Sequence, residues 1–389
     1  MNPITLRRTA LAVTAVAFFV DTFLYCLLVP LLPRYAEKLN LNSFQVGVLF
    51  WSYALTLLIA TPLVARFTDR WGRKMPMLLG LGGLAAGTLL FAYGRSFSVL
   101  FVARALQGIA GAATWLPGMA LVADHYPRES RGAAMGIAFA GANLGLLLGP
   151  PVAGFMDHRF GPMAPFHLAI GLIALDAFAR AFLLKEVEMV QESPIPWRTL
   201  LGNGTIRLFA GAAALGAALS TLLEAALPLD FHHRLGLNSL GIGLLFGAMA
   251  LAHTLSSPWM GALSDRLGRV PVLRIGLLAA LVTVPLPVLV PQPWAVALAL
   301  MLLGLNLSFI LSPCSPAVAD QVERLGSQSF ASGFSILNMA YSIGMVLGPL
   351  LGGVLIDRVG VRLALGLVGV GFASYTVIVT KTKKQSSLG

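Results

Sequence analysis

ARFTDRWGR at residues 65–73 and ALSDRLGR at residues 262–269 are two copies of one stretch. Both contain Asp-Arg-x-Gly-Arg, starting at Asp69 and at Asp265, 196 residues apart. A second pair recurs at nearly that spacing: GLLLGPPVAG runs from Gly145 to Gly154 and GMVLGPLLG from Gly344 to Gly352. Gly149-Pro150 and Gly348-Pro349 therefore lie 199 residues apart. Two motifs in near-common register argue for internal duplication. Each loop motif follows an apolar run of roughly 20 residues, enough for a helix to cross ~30 Å of hydrocarbon. A helix satisfies its backbone groups internally, so lipid tolerates it.

Outward from these anchors, similar runs fill the chain. The predicted spans are 9–32, 44–66, 75–94, 97–122, 131–156 and 164–184, then 206–230, 239–262, 271–290, 294–318, 331–356 and 362–380. They give an all-α integral membrane fold of twelve transmembrane helices in two pseudo-symmetric six-helix halves. The halves are residues 1–184 and 206–389. Residues 185–205, polar and carrying Pro194, Pro196, Gly202 and Gly204, read as a cytoplasmic linker. Substrate binding near the midplane between such repeats is a transporter architecture.

Composition agrees. The chain is 57% hydrophobic and 11% charged, with mean hydropathy +0.82, whereas soluble domains carry about 25% charged residues. The net charge of +11 is a topology signal, and no nucleic-acid partner is expected. Arg7, Arg8, Arg70, Arg73, Lys74, Arg266, Arg269, Lys381, Lys383 and Lys384 all fall at one set of span ends. The positive-inside rule makes those ends, and both termini, cytoplasmic. Cys26 and Cys314 fall within spans, so no disulfide is expected. Asp21 is wrong for a signal-peptide core, and the first run reads as the first span.

The motifs resemble those of the major facilitator superfamily: the loop Asp69-Arg-x-Gly-Arg-Lys74, Arg104-x-x-Gln107-Gly108 on the fourth span, and Gly145 to Gly154 on the fifth. The last is associated with antiporters. Phe19-Val-Asp21, Val29-Pro30-Leu-Leu-Pro33, Gly149-Pro-Pro151 and Leu222-Leu-Glu224-Ala-Ala-Leu-Pro228 are similar to the vesicular monoamine transporter branch of the drug:proton antiporters. The chain lacks the large loop that branch carries after its first helix, as a bacterial inner-membrane relative would. It also departs from the branch: Asn338 and Ser308 stand where the branch has acidic residues, and Tyr53 where it has a lysine.

Few ionisable residues lie deep in spans. A charge at a helix centre costs at least ~2.5 kcal/mol, so its default reading is functional. Asp21 and Glu224 lie on the first spans of the two halves, and both carboxylates can face one cavity, as proton-coupling and cation-binding groups. Burial disfavours their charged forms, so each can hold a proton and yield it to a cationic ligand. Structural pairing, with Arg104 for example, is the alternative. Arg104 itself suits structure, proton coupling or an anionic substrate. Tyr25, Tyr53, Asn143, His253, Asn306, Asn338 and Tyr341 complete the candidate pocket; aromatic faces attract organic cations, and helix–helix hydrogen bonding is the equal alternative for any one of them. Asp69, Arg70, Gly72, Arg73, Asp265, Arg266 and Arg269 form candidate latches. Gly145, Gly149, Pro150, Gly154, Gly348 and Pro349 are candidate close-packing positions.

The expected function is proton-coupled antiport exporting cationic organic compounds, amines and drugs, by alternating access. The expected partners are a small-molecule cation and the lipid bilayer, with the protein acting as a monomer and protons serving as coupling ion without any cofactor. A proton symporter for an anionic or neutral metabolite, anchored on Arg104, is the transport alternative. A membrane receptor or scaffold is the alternative from another class, but residues 185–205 and 381–389 are too short for a signalling domain. The spans carry no metal-ligand spacing, Gly-x-Ser-x-Gly or phosphate loop, so no enzymatic activity is expected.

Overall fold

The structure, a computed structural model, describes residues 3–184, 197–324 and 330–386, and all regular structure among them is helical. The helices are α1 (Pro3–Leu27), α2 (Leu32–Leu39), α3 (Ser43–Trp71), α4 (Lys74–Tyr93), α5 (Phe97–His125), α6 (Arg128–Phe160), α7 (Ala164–Leu183) and α8 (Trp197–Gly202). They continue with α9 (Gly204–Leu235), α10 (Ser239–Leu267), α11 (Arg269–Thr283), α12 (Leu286–Leu289), α13 (Pro293–Leu311), α14 (Cys314–Arg324) and α15 (Phe330–Ser386). A 3-10 turn at Val29–Leu31, with Pro30 removing a backbone donor, separates α1 from α2.

At 57 residues α15 would be roughly 85 Å long, nearly three bilayer cores, if it were one helix. It is broken at Gly360, where φ is 79°, a left-handed conformation that glycine adopts without Cβ strain. The break falls between the predicted spans 331–356 and 362–380. Counting α1 with α2, α11 with α12 and α13 with α14 as single crossings, the described residues make twelve passes. Large apolar side chains stand on the surface: Trp259 (75% exposed), Phe182, Trp294, Leu363 and Leu255. In water such a surface would aggregate; in lipid it is solvated. Residues 185–196 of the expected linker lie outside the described residues.

The helices form two compact units. Unit 1 comprises Met1–Leu41, Val48–Gln191 and Leu237–Gly247. Within it α1 packs along α6 and α4 along α5. The α1–α6 contact is set by small residues: a Cβ on Gly145 would lie 2.6 Å from the Phe19 carbonyl oxygen, and one on Gly149 2.9 Å from Cys26 Cβ. Unit 2 comprises Asn42–Gly47, Glu192–Gly236 and Ala248–Gly389. There α15 packs along α9 in the same way, with Gly348 against the Ala218 carbonyl. The duplicated glycines thus do one job twice, letting backbones approach to van der Waals distance.

Gly154 does a different job. It meets Ser239, the first residue of α10, and a hydroxyl–carboxylate hydrogen bond from Ser239 to Asp157 lies beside it, with Arg34 paired to the same carboxylate. The Pro150 carbonyl sits against Gly243. Unit 2 repeats the arrangement: Pro349 carbonyl against Gly47, Gly353 against Ser43, and Asp357 Oδ2 accepting the Phe44 backbone N–H at 3.1 Å. Each carboxylate meets the first turn of a helix, where unpaired donors and the helix dipole favour negative charge. Asp357→Ala is expected to cost about 0.3–1 kcal/mol, lowering the thermal unfolding midpoint of detergent-purified protein by about one to three degrees. An unchanged midpoint would show that this cap contributes nothing.

Candidate functional site

The loop motifs hold charge clusters. Gly72, at φ 81°, turns the chain between α3 and α4. Arg73 then reaches Asp124 at the end of α5, Nε to Oδ2 2.9 Å. In unit 2, Arg269 at the start of α11 pairs with Asp265 in the last turn of α10 and with Asp320 of α14 at 3.2 Å. Asp69 lies in the last turn of α3, but its side chain lies outside the described residues. Arg70, Asp265 and Arg266 are exposed. Asp124 and Asp320 were missed in the sequence reading, although they lie 196 residues apart, the spacing of the loop motif itself.

In unit 1, Asp21, Arg104, Asp176 and Arg180 place buried charge on α1, α5 and α7. Asp21 is 3% exposed. Its Oδ2 accepts the Trp115 indole N–H at 2.7 Å, while its Oδ1, also buried, has no hydrogen-bond partner among the described residues. Trp115 is half-buried and stacks on Phe18, ring centroids 4.3 Å apart. Arg104 is 1% exposed. Its guanidinium lies over three rings, Tyr53 at 4.6 Å, Tyr25 at 5.1 Å and Phe50 at 5.3 Å, and donates to Gln107 Oε1 at 3.0 Å. Tyr25 and Tyr53, expected to present faces to a ligand cation, thus present them to an arginine of the chain itself. Arg180 and Asp176, both fully buried, form a two-pronged pair on α7. Arg180 also donates to the Met77 carbonyl at 3.0 Å and the Thr114 hydroxyl at 3.3 Å, tying α7 to α4 and α5.

Unit 2 holds the second carboxylate. Glu224, 6% exposed, sits mid-way along α9. Pro33 and Pro228, 195 residues apart, align the two first helices, and by that alignment Glu224 corresponds to Val29 and Asp21 to Gly216. The carboxylates are therefore on equivalent helices but eight residues out of register, ~12 Å along a helix. His253, half-buried on α10, has Nδ1 3.0 Å from Ser308 Oγ of α13, which is 2.7 Å from Ser256 Oγ. Asn306 donates to Thr283 Oγ1 at 2.9 Å, bonding α13 to α11. Asn338, Tyr341 and, in unit 1, Asn143 are exposed. Cys26 and Cys314 are buried as free thiols. No group of three or more His, Cys, Asp or Glu positioned to hold a metal occurs among the described residues.

Comparison with known proteins fits this architecture. The profile of the Major Facilitator Superfamily matches residues 13–228 and 208–387. The synaptic vesicular amine transporter of Bos taurus is 27% identical over 341 residues, covering 87% of this chain and 66% of that protein. The chromaffin granule amine transporter of Rattus norvegicus is 29% identical over 344 residues, 86% of this chain and 64% of that protein. The chain thus spans slightly less than two thirds of the length of these relatives. Among solved structures, a bacterial homolog of the human lysosomal transporter Spinster superposes with TM-score 0.81 at 16% identity, covering 98% of this chain and 97% of that one. The nucleoside transporter NupG gives TM-score 0.74 at 15% identity, covering 96% and 99%. With twelve passes, a duplicated helical repeat and a profile match spanning both halves, the chain belongs to the Major Facilitator Superfamily, a family of membrane transporters rather than enzymes.

Proposed function

We propose that the protein exports organic cations, amines foremost, in exchange for protons across a bacterial inner membrane, with both termini in the cytoplasm. The observation carrying this reading is Asp21: a carboxylate buried within a membrane span, one oxygen held by Trp115 and the other without a partner among the described residues. Such a group is costly to leave ionised in a low-dielectric interior, even with the charges of Arg104 and Arg180 acting on it. A proton or a cation relieves that cost, and the two exclude each other, which is the elementary requirement for exchange. Similarity to vesicular amine transporters over most of the chain supports amines as the cation class. Glu224 supplies a second buried carboxylate on the equivalent helix. No cofactor enters this scheme beyond the proton, and a single chain contains every group it uses.

Import of an anion on Arg104 is the weaker reading. That guanidinium is already over three aromatic rings and bonded to Gln107, which supports a structural or coupling role. Driving force suffices for export: about 2.3 kcal/mol per charge per 100 mV, with ~1.4 kcal/mol per tenfold proton gradient. The test is uptake of a panel of amines into inverted vesicles, with and without an imposed proton gradient. Gradient-dependent uptake is expected for the wild type and is expected to vanish in Glu224→Gln, which keeps size and hydrogen bonding but cannot titrate. Glu224→Gln vesicles that still concentrate amines on a proton gradient would remove Glu224 from the exchange.

A further inference from the structure

Within unit 2, a groove of about 710 Å³ runs along the molecular surface between α10 and α13. Its walls are Ala252, Leu255 and Trp259 of α10 and Leu298, Met301 and Leu305 of α13. Leu255 and Trp259 are exposed, so the groove opens onto the surface that faces lipid. Ser256 brings a hydroxyl to it, but that hydroxyl is already bonded to the Ala252 carbonyl and to Ser308 Oγ, each at 2.7 Å. The groove therefore offers alkyl, thioether and indole contact, and a thioether adapts to a flexible chain. The α10 wall continues past the groove. Ala252, Leu255, Trp259 and Arg266 follow at steps of three, four and seven residues, which keeps them on one helix face. Arg266 is exposed and has no ion-pair partner among the described residues, while Arg269 takes both nearby carboxylates, Asp265 and Asp320. From Ala252 to Arg266 the helix rises about 21 Å. Half a bilayer with its headgroups is about 20–22 Å thick, so the stripe is as long as one leaflet is deep.

We infer that this stripe is a binding site for one anionic phospholipid, with an acyl chain in the groove between α10 and α13 and the headgroup phosphate on Arg266. A plain helix surface gives an acyl chain no more than neighbouring chains do, whereas a groove packs it from two sides. Arg266 then selects the headgroup. A zwitterionic lipid sets its own cation beside the guanidinium, and an anionic lipid does not. One basic residue at the membrane surface favours an anionic lipid by about fivefold. The occupant is a lipid rather than a second copy of the chain because the stripe ends on a cation that a phosphate neutralises. The inference is independent of the cation reading of Asp21.

Trp259, on the wall of the groove, reports occupancy. Full-length protein in neutral detergent micelles is titrated with phosphatidylglycerol or phosphatidylcholine carrying brominated acyl chains, which quench a tryptophan they touch. Subtracting the same titration of Trp259→Phe isolates the Trp259 signal. Half-saturation is expected at about fivefold lower mole fraction for phosphatidylglycerol than for phosphatidylcholine. Arg266→Gln should abolish that preference while both lipids still quench Trp259. Ala252→Leu fills part of the groove, so it should weaken both lipids by the same factor and keep the preference. Leu302→Phe, on the facing wall, repeats that test if Ala252→Leu lowers the unfolding midpoint. Equal half-saturation of the two lipids on the wild type, or a preference that survives Arg266→Gln, overturns the inference. Quenching that neither groove substitution changes also overturns it, since the chain then lies elsewhere. A Trp259 shielded from both lipids in a cross-linkable dimer would make a second copy the occupant and overturn it likewise.

Discussion

Asp21→Asn is expected to weaken amine binding roughly 10- to 150-fold, the range given by about 1.5–3 kcal/mol for a hydrogen bond to a charged group. The substitution preserves shape and leaves an amide oxygen able to accept the Trp115 indole N–H, so the α1–α5 contact persists. What it removes is the negative charge. In water that charge would be screened; at 3% exposure within a membrane span it is not. Folding should be unaffected, since neutralising a buried acid also removes its desolvation cost. Equilibrium binding to purified protein measures the effect, and unfolding temperature controls for structure. A variant binding amines within twofold of wild type would move the cation away from α1.

Asp176→Ala should be the most destabilising single change among the charged residues described. Arg180 is wholly buried, and its carboxylate partner sits on the same helix one turn earlier. Removing that partner leaves a guanidinium with only the Met77 carbonyl and the Thr114 hydroxyl, both neutral acceptors. Uncompensated buried charge of this kind costs about 3–5 kcal/mol. Expression and the thermal midpoint should fall sharply. The double change Asp176→Leu with Arg180→Met, which removes both charges and keeps volume, should recover most of the loss. Equal loss in the single and double variants would mean that the pair contributes specific bonds rather than mutual neutralisation.

Much of the fold was legible because lipid imposes length and apolarity on every crossing. The runs 331–356 and 362–380 even bracket the Gly360 break inside α15, since a glycine between two apolar runs marks where a helix can stop. The glycine motifs announced close packing, and Gly145, Gly149 and Gly348 provide it along α1 and α9. Gly154 differs because it lies about one and a half turns beyond Gly149 on α6, where the neighbour is the start of α10. The residues partnering the loop arginines were recoverable: Asp124 follows Arg73, and Asp320 follows Arg269, at the same distance of 51 residues. The environment of Asp21 was not. That Arg104 would claim Tyr25, Phe50 and Tyr53, and that Trp115 would reach Asp21 from 94 positions away, depends on how α1, α3 and α5 turn their faces to one another. A tryptophan in an apolar run carries no mark of its partner.

Amine affinity measured against pH, for wild type, Asp21→Asn and Glu224→Gln, tests the central claim most directly. If proton and cation compete for the same carboxylates, wild-type affinity rises with pH as those groups lose their protons, and binding releases protons to the medium. Asp21→Asn should bind weakly throughout, and Glu224→Gln should bind with its pH dependence reduced to the part that Asp21 carries. Should both variants bind amines as the wild type does, with unchanged proton release, exchange on these carboxylates is excluded, and an importer organised around Arg104 becomes the better account.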